Sequence, residues 1–173
     1  MRVDRSPVRS ISDVTVDADI DMNSHALTEL GNMTFVTDKS LQLLAALAAD
    51  KNYSGITVLA TAGEDVDQFQ SVYLKSDGKV WLSDRNEVTK MPVKGIAIDD
   101  VLADAEGVFL IEGFIRNDVW AWVIGALLYP SGVLGAITTT VGVTSGDQVQ
   151  RVGIAVTADI IWFSPEKTVL EVT

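Results

Sequence analysis

From Asp13 to Asn23, apolar and polar residues alternate without a break. Val14, Val16, Ala18, Ile20 and Met22 take the even positions; Asp13, Thr15, Asp17, Asp19, Asp21 and Asn23 take the odd ones. A period of two puts these sets on opposite faces of a strand, one apolar and one acidic. The pattern changes at Asp38, a good helix cap, behind which lies KSLQLLAALAAD, rich in the strong helix formers Leu and Ala. Leu43 and Leu47 stand four apart, with Leu41, Leu44 and Ala48 on an adjoining line. This spacing predicts one amphipathic helix over 39–50, ended by Asn52-Tyr53-Ser54-Gly55, with Leu41, Leu44 and Ala48 packed on a core or on neighbouring copies.

Beyond Gly55 the chain reads as short apolar runs punctuated by Gly and Asp. SVYLKSDGKVWLS predicts a hairpin, with Asp77-Gly78 suited to a type I′ turn. No charged side chain occurs from Val119 to Gly146, a stretch long enough to raise the question of a membrane span. Pro130-Ser131-Gly132 interrupts it, so two buried strands joined by a turn are expected instead. KGIAI (94–98) and VGIAV (152–156) share one pattern, and their glycines predict bulges or close strand packing. The expected class is mainly β: a stem-like strand region and one short helix, then a β-sandwich or small β-barrel. The expected organisation is an extended arm at 1–12, the stem and helix at 13–55, and the β-module at 56–173.

Composition narrows the function. Acidic residues outnumber basic ones 24 to 13 in 173 residues, a formal net charge of -11. Nucleic acid and anionic membrane surfaces both prefer a basic face, so neither is expected as a partner. There is no Cys, and His25 is the only histidine. Thiolate metal sites and cysteine nucleophiles are thereby excluded, and most triads lose a required part. Basic charge gathers at the start: Arg2, Arg5 and Arg9 lie in the arm, whereas residues 10–38 hold six acids and no Lys or Arg. A basic arm can order on an acidic partner, so these three arginines are the expected anchor.

Candidate chemistry is sparse. Asp17, Asp19, Asp21 and Asn23 imitate the start of a calcium-binding loop, but Met22 stands where the turn needs Gly and Thr28 where a bidentate Glu belongs. Asp99-Asp100 and Asp104 with Glu106 share an acidic loop, without evidence of convergence across a cleft. No G-x-S-x-G, Walker or Rossmann glycine pattern is present. No catalytic residue, cofactor or metal is expected. Trp120 and Trp122 fall on one face of an expected strand, either as core or subunit interface, or as a platform for a sugar. With Leu41 and Leu44 they form the expected partner surface.

YLKSDGKVWLSD, MPVKGIAIDDV, GVFLIEGFIRND, the W-A-W of VWAWVIGALLYPS, GDQVQRVGIAV and DIIWFSP follow in one order across 72–173. Together they resemble a β-module of virion structural proteins of tailed viruses, found in short tail fibres, head fibres and capsid-decoration proteins. DADIDMNSHALTELG is similar to the N-terminal stem of phage fibre proteins. The resemblance implies a non-enzymatic homotrimer located in the virion, a short fibre or spike subunit. Its partners would be other capsid or tail proteins, and a host surface glycan or protein where it contacts the host. A capsid-cementing role and a carbohydrate-binding or carbohydrate-active domain are the alternatives.

Overall fold

The computed structural model describes residues 40–173. The acidic strand expected at 13–23 and the arm with Arg2, Arg5 and Arg9 lie outside the described residues. The compact unit is Leu41–Thr173.

Its strands in chain order are β1 (Tyr53–Thr61), β2 (Ser71–Leu74), β3 (Val80–Leu82), β4 (Val93–Ala97), β5 (Glu106–Arg116), β6 (Leu127–Pro130), β7 (Ile137–Thr138), β8 (Gln148–Val149), β9 (Gly153–Ala155), β10 (Ile160–Phe163) and β11 (Leu170–Glu171). A single 3-10 turn, Val88–Lys90, is the only helical element among the described residues. The fold is mainly β, as the punctuation of the sequence predicts. Nine strands form one antiparallel sheet ordered β3-β2-β4-β5-β10-β9-β6-β7, with β1 on β5, curled into a half-barrel. β8 and β11 pair separately.

β5 organises the sheet. Along one edge it pairs with β1 from Glu106 to Ile115. Along the other it pairs first with β4, through Phe109 and Leu110, and then with β10, through Gly113 to Arg116. Between the two regimes Ile111 is an extra residue: Thr57 faces Leu110 while Ile56 faces Glu112. This bulge reverses the alternation. Before it, even positions (Val108, Leu110) reach the larger core; after it, the odd Ile115 does. Phe109 points the other way, into a second core with Val66, Val72, Val80 and Val101. The unbroken apolar run VFLI thus serves two cores on opposite faces. The parallel bridge between Ala62 and Val80 brings the end of β1 back to β3 and encloses that second core.

Glycines appear where backbones crowd. Gly55 faces Gly113 across the bulge, and a Cβ on Gly55 would stand 2.2 Å from the Glu112 oxygen. In the paired glycine phrases, Gly95 lies beside a register shift between β2 and β4, and a Cβ on Gly153 would meet the Trp162 carbonyl at 2.4 Å. Both glycines sit at the irregularities or tight contacts their pattern predicts.

Three expectations are corrected. Residues 41–50 form no helix. The Leu44 N–H donates to the Ser54 hydroxyl at 2.7 Å instead of to a carbonyl one turn back, and the Leu47 carbonyl accepts from Arg116 Nη1 at 2.8 Å. Leu47 is the buried residue; Leu41 and Leu44 are 67% and 59% exposed, so their line does not pack on the core. Tertiary contacts here override helix propensity, which is a weak prior. The β2–β3 hairpin forms, but only Gly78 has positive φ, and Lys75 N–H bonds the Lys79 carbonyl across three residues. That is the three-residue loop in which a type I turn is followed by a left-handed glycine, not a type I′ turn. Finally, the uncharged stretch after Val119 does give two paired strands, β6 and β7, joined through 131–136, but they are short and only partly buried, and Val119, Val123 and Ile124 lie exposed in the loop before them. Among the described residues no helix is long and apolar enough to cross a membrane.

Gln150 is a buried polar residue that no motif announces. Its Oε1 accepts from Val93 N–H at 2.8 Å, while its Nε2 donates to the Glu166 carbonyl at 2.6 Å and to the Val93 carbonyl at 3.2 Å. It ties the start of β4 to the C-terminal segment. Replacing Gln150 by Ala leaves the Val93 N–H unpaired and is expected to cost about 1–3 kcal/mol, read as a lower urea midpoint. Gly55→Ala is expected to cost a similar amount, about 1–3 kcal/mol, by overpacking the bulge.

Candidate functional site

Side chains that sequence reasoning singles out are scattered over the unit. Trp120 and Trp122 lie in the loop after β5, not on a strand. Their rings are still neighbours, with centroids 5.8 Å apart, and Trp120 stands 5.3 Å from Phe69. All three pack half-buried against the larger core. The rings border an open cleft of about 410 Å³, together with Gln68, Asn117 and the 133–137 turn. Asp99 and Asp100 are exposed, and Asp100 is occupied in part by accepting the Gln68 N–H at 2.8 Å. Asp104 pairs with Lys79. Among the described residues no group of three or more His, Asp or Glu side chains could hold a metal ion.

The electrostatic centre is Arg116, at the end of β5. Its Nε lies between the carboxylates of Asp118 and Asp159, 3.2 Å from the latter, while Nη1 holds the Leu47 carbonyl. Asp50 accepts the Asp118 N–H at 2.8 Å. This cluster fastens residues 47–50 to the sheet. The Thr157 hydroxyl first, then the Asp159 N–H and Arg116, hold the Asp159 carboxyl below its ordinary value. Arg116 Nε also donates to the Asp118 carboxylate, and this bond first, with the nearby acids, raises the guanidinium above its ordinary value.

Uncovered apolar surface is the more informative feature. Phe114, Trp162, Ile154 and Leu127 are directly opposed across β5, β10, β9 and β6. Phe114 and Trp162 stack with centroids 6.0 Å apart, and Trp162 and Leu127 remain 43% and 39% exposed. By the alternation of the strands, this ladder lies on the face opposite Ile161 and Phe163, which are fully buried. The Arg151–Glu166 ion pair lies beside it, and Glu112 and Arg116 flank Phe114 along β5. A second apolar surface is a groove of about 430 Å³ at the mouth of the smaller core, where Val58, Leu74, Phe109 and Ile111 meet, with Lys94 and Lys167 at its rim. A third is the Val119–Ile124 loop. Sequence reasoning missed the ladder because its four residues come from four strands. Only the register brings them together.

The shifted carboxyl yields a pH expectation. A depressed folded-state value means Asp159 stabilises the fold fully above the ordinary Asp value of 3.8, and that contribution fades as pH falls through the depressed value. An NMR titration should place the Asp159 midpoint below 3.8, and Thr157→Val should move it upward.

No protein-family model matches this sequence, and no curated protein matches it.

Proposed function

We propose that this chain is a non-enzymatic structural protein of a virion surface, a homo-oligomeric short fibre or spike subunit. The observation that carries the reading is the apolar ladder Phe114–Trp162–Ile154–Leu127, together with the exposed Val119, Val123 and Ile124. A protein with a net charge of -11 is otherwise well suited to stand alone in water. Large contiguous apolar surface on such a chain marks a contact with other protein. The ordered segments across 72–173 resemble the virion β-module and supply the identity of that assembly. The three-fold association belongs to that resemblance, and attachment through Arg2, Arg5 and Arg9 rests on the basic charge gathered in the arm.

A capsid-decoration role is the second reading. Its support is the shape of the described unit, one curled sheet without shaft repeats, which suits a cap on a lattice better than a long fibre. A glycan-binding role is less favoured: Trp120 and Trp122 spend much of their ring surface on the core and on Phe69.

Light scattering of the full chain at micromolar concentration should give a mass of several subunits, with three as the stoichiometry the resemblance implies. Trp162→Glu, which puts a charge on the ladder, should shift the mass toward the 18.6 kDa subunit. An antibody against the chain should label the surface of intact particles, at few copies for a spike and hundreds for a decoration protein. A monomer that labels no particle contradicts the proposal.

A further inference from the structure

We infer that β1 is a subunit contact, across which two copies of this chain pair edge to edge and antiparallel about a two-fold axis. The inference rests on the edge itself and not on the virion reading.

β1 runs for nine residues and pairs only with β5. The direction of its backbone groups follows from its C-terminal end. Ala62 N–H donates to the Ala105 carbonyl, toward β5, while Gly63 N–H donates to the Val80 carbonyl, away from it. Strand alternation then turns the N–H and C=O groups of Thr57, Leu59 and Thr61 outward. No named strand pairs with β1 on this side, and only just past its end does Ala62 bridge Val80. Such an edge is a template for another strand.

Proteins that keep an edge free guard it with short length, Pro, Lys or inward charge. β1 has none of these: from Asn52 to Thr61 there is neither a charged residue nor a proline. Its side chains are β-formers left in solvent, with Ile56, Val58 and Leu59 at 47%, 42% and 60% exposure. In a chain carrying 24 acids, this is a line along which two copies can meet without like-charge repulsion.

The flanks decide which partner fits. Lys51 precedes β1, is exposed, and makes no ion pair with another described residue. Glu64 and Asp65 follow β1. Asp50 and Lys51 flank one end of β1 and Glu64 and Asp65 the other, so antiparallel pairing centred on Thr57 brings the Lys51 of each copy beside the acidic flank of the other, whereas parallel pairing would set the two acidic flanks together. The edge is therefore complementary to itself, and a two-fold contact closes without leaving a new free edge of β1. It uses none of residues 13–23, from which the three-fold expectation comes. With both contacts the smallest closed particle has six copies; with β1 alone it has two.

The absence of native Cys makes the test clean. A single cysteine at Thr57, the one position that faces its own copy in this register, should give a covalent dimer on mild oxidation of the full chain. Directly opposed antiparallel positions place Cα atoms about 4.5–5.5 Å apart, within disulfide reach. Cysteine at Val123, in the exposed loop, is the control and should stay monomeric on a non-reducing gel. Adding Leu59→Pro or Leu59→Lys to the Thr57→Cys chain should cut cross-linking at least tenfold while circular dichroism stays that of the parent. Leu59→Lys alters no backbone donor, so it reads the edge even where the proline variant fails to fold. No dimer from the Thr57 cysteine, equal dimer from Val123, or cross-linking indifferent to Leu59→Lys overturns the inference. Particle labelling is unaffected by any of these outcomes, so this contact and the virion reading fail separately.

Discussion

Everything in the described unit depends on β5 having both edges and both faces in use. β1 holds one edge along nearly its whole length; β4 and then β10 share the other. Its faces feed two cores, through Leu110 and Ile115 on one side and Phe109 on the other. One strand can serve this many partners only because Ile111 is inserted at the point where β4 hands over to β10. The bulge keeps Ile115 on the core face after the change of partner, and it requires the facing glycines Gly55 and Gly113, because a side chain there would strike backbone. Truncating Phe109 or Ile115 would remove the contents of one core while leaving the other its own residues. The bulge, in contrast, is common to both.

The legible part of this architecture was what is local. Short apolar runs between Gly and Asp predict a β-protein, and the β2–β3 hairpin and the tight positions of Gly95 and Gly153 follow from residues within a few places of each other. What was misread depends on distant partners. The Leu- and Ala-rich segment at 41–50 has helix propensity, but Ser54 and Arg116 claim its backbone groups. Val119 to Ile124 reads as buried strand by hydropathy, yet it is a loop in which Val119, Val123 and Ile124 are exposed while Trp120 and Trp122 pack on the core. The ladder of Phe114, Trp162, Ile154 and Leu127 could not be assembled before the register was known, since each residue alone is an ordinary apolar strand position. The candidate surface was therefore less legible than the fold. Of the expected partner residues, Trp120 and Trp122 do come together, but mostly to complete the core.

A common physical theme links the fold to the proposed role. The unit buries its two cores well, with Phe109, Leu110, Ile115, Ile161 and Phe163 fully enclosed, yet it leaves a ladder, a groove mouth and a strand edge in solvent. The strand edge of β1 carries no charged residue, and Lys94 and Lys167 border the groove. The result is a subunit whose charge keeps it dispersed and whose apolar surfaces select where it is covered. Assembly, rather than a chemical step, is the work such a surface performs.

The central claim is that β5 is the spine on which both halves of the sheet are held. Amide hydrogen exchange of the full chain tests it most directly. The N–H groups of Phe109, Leu110 and Ile115 should be among the slowest and should exchange with the same opening free energy on both sides of Ile111, as one cooperative unit. The result that would contradict the account is early exchange of β5, or two separate opening energies for 106–110 and 113–116, which would make the halves independent and the bulge a mere seam between them.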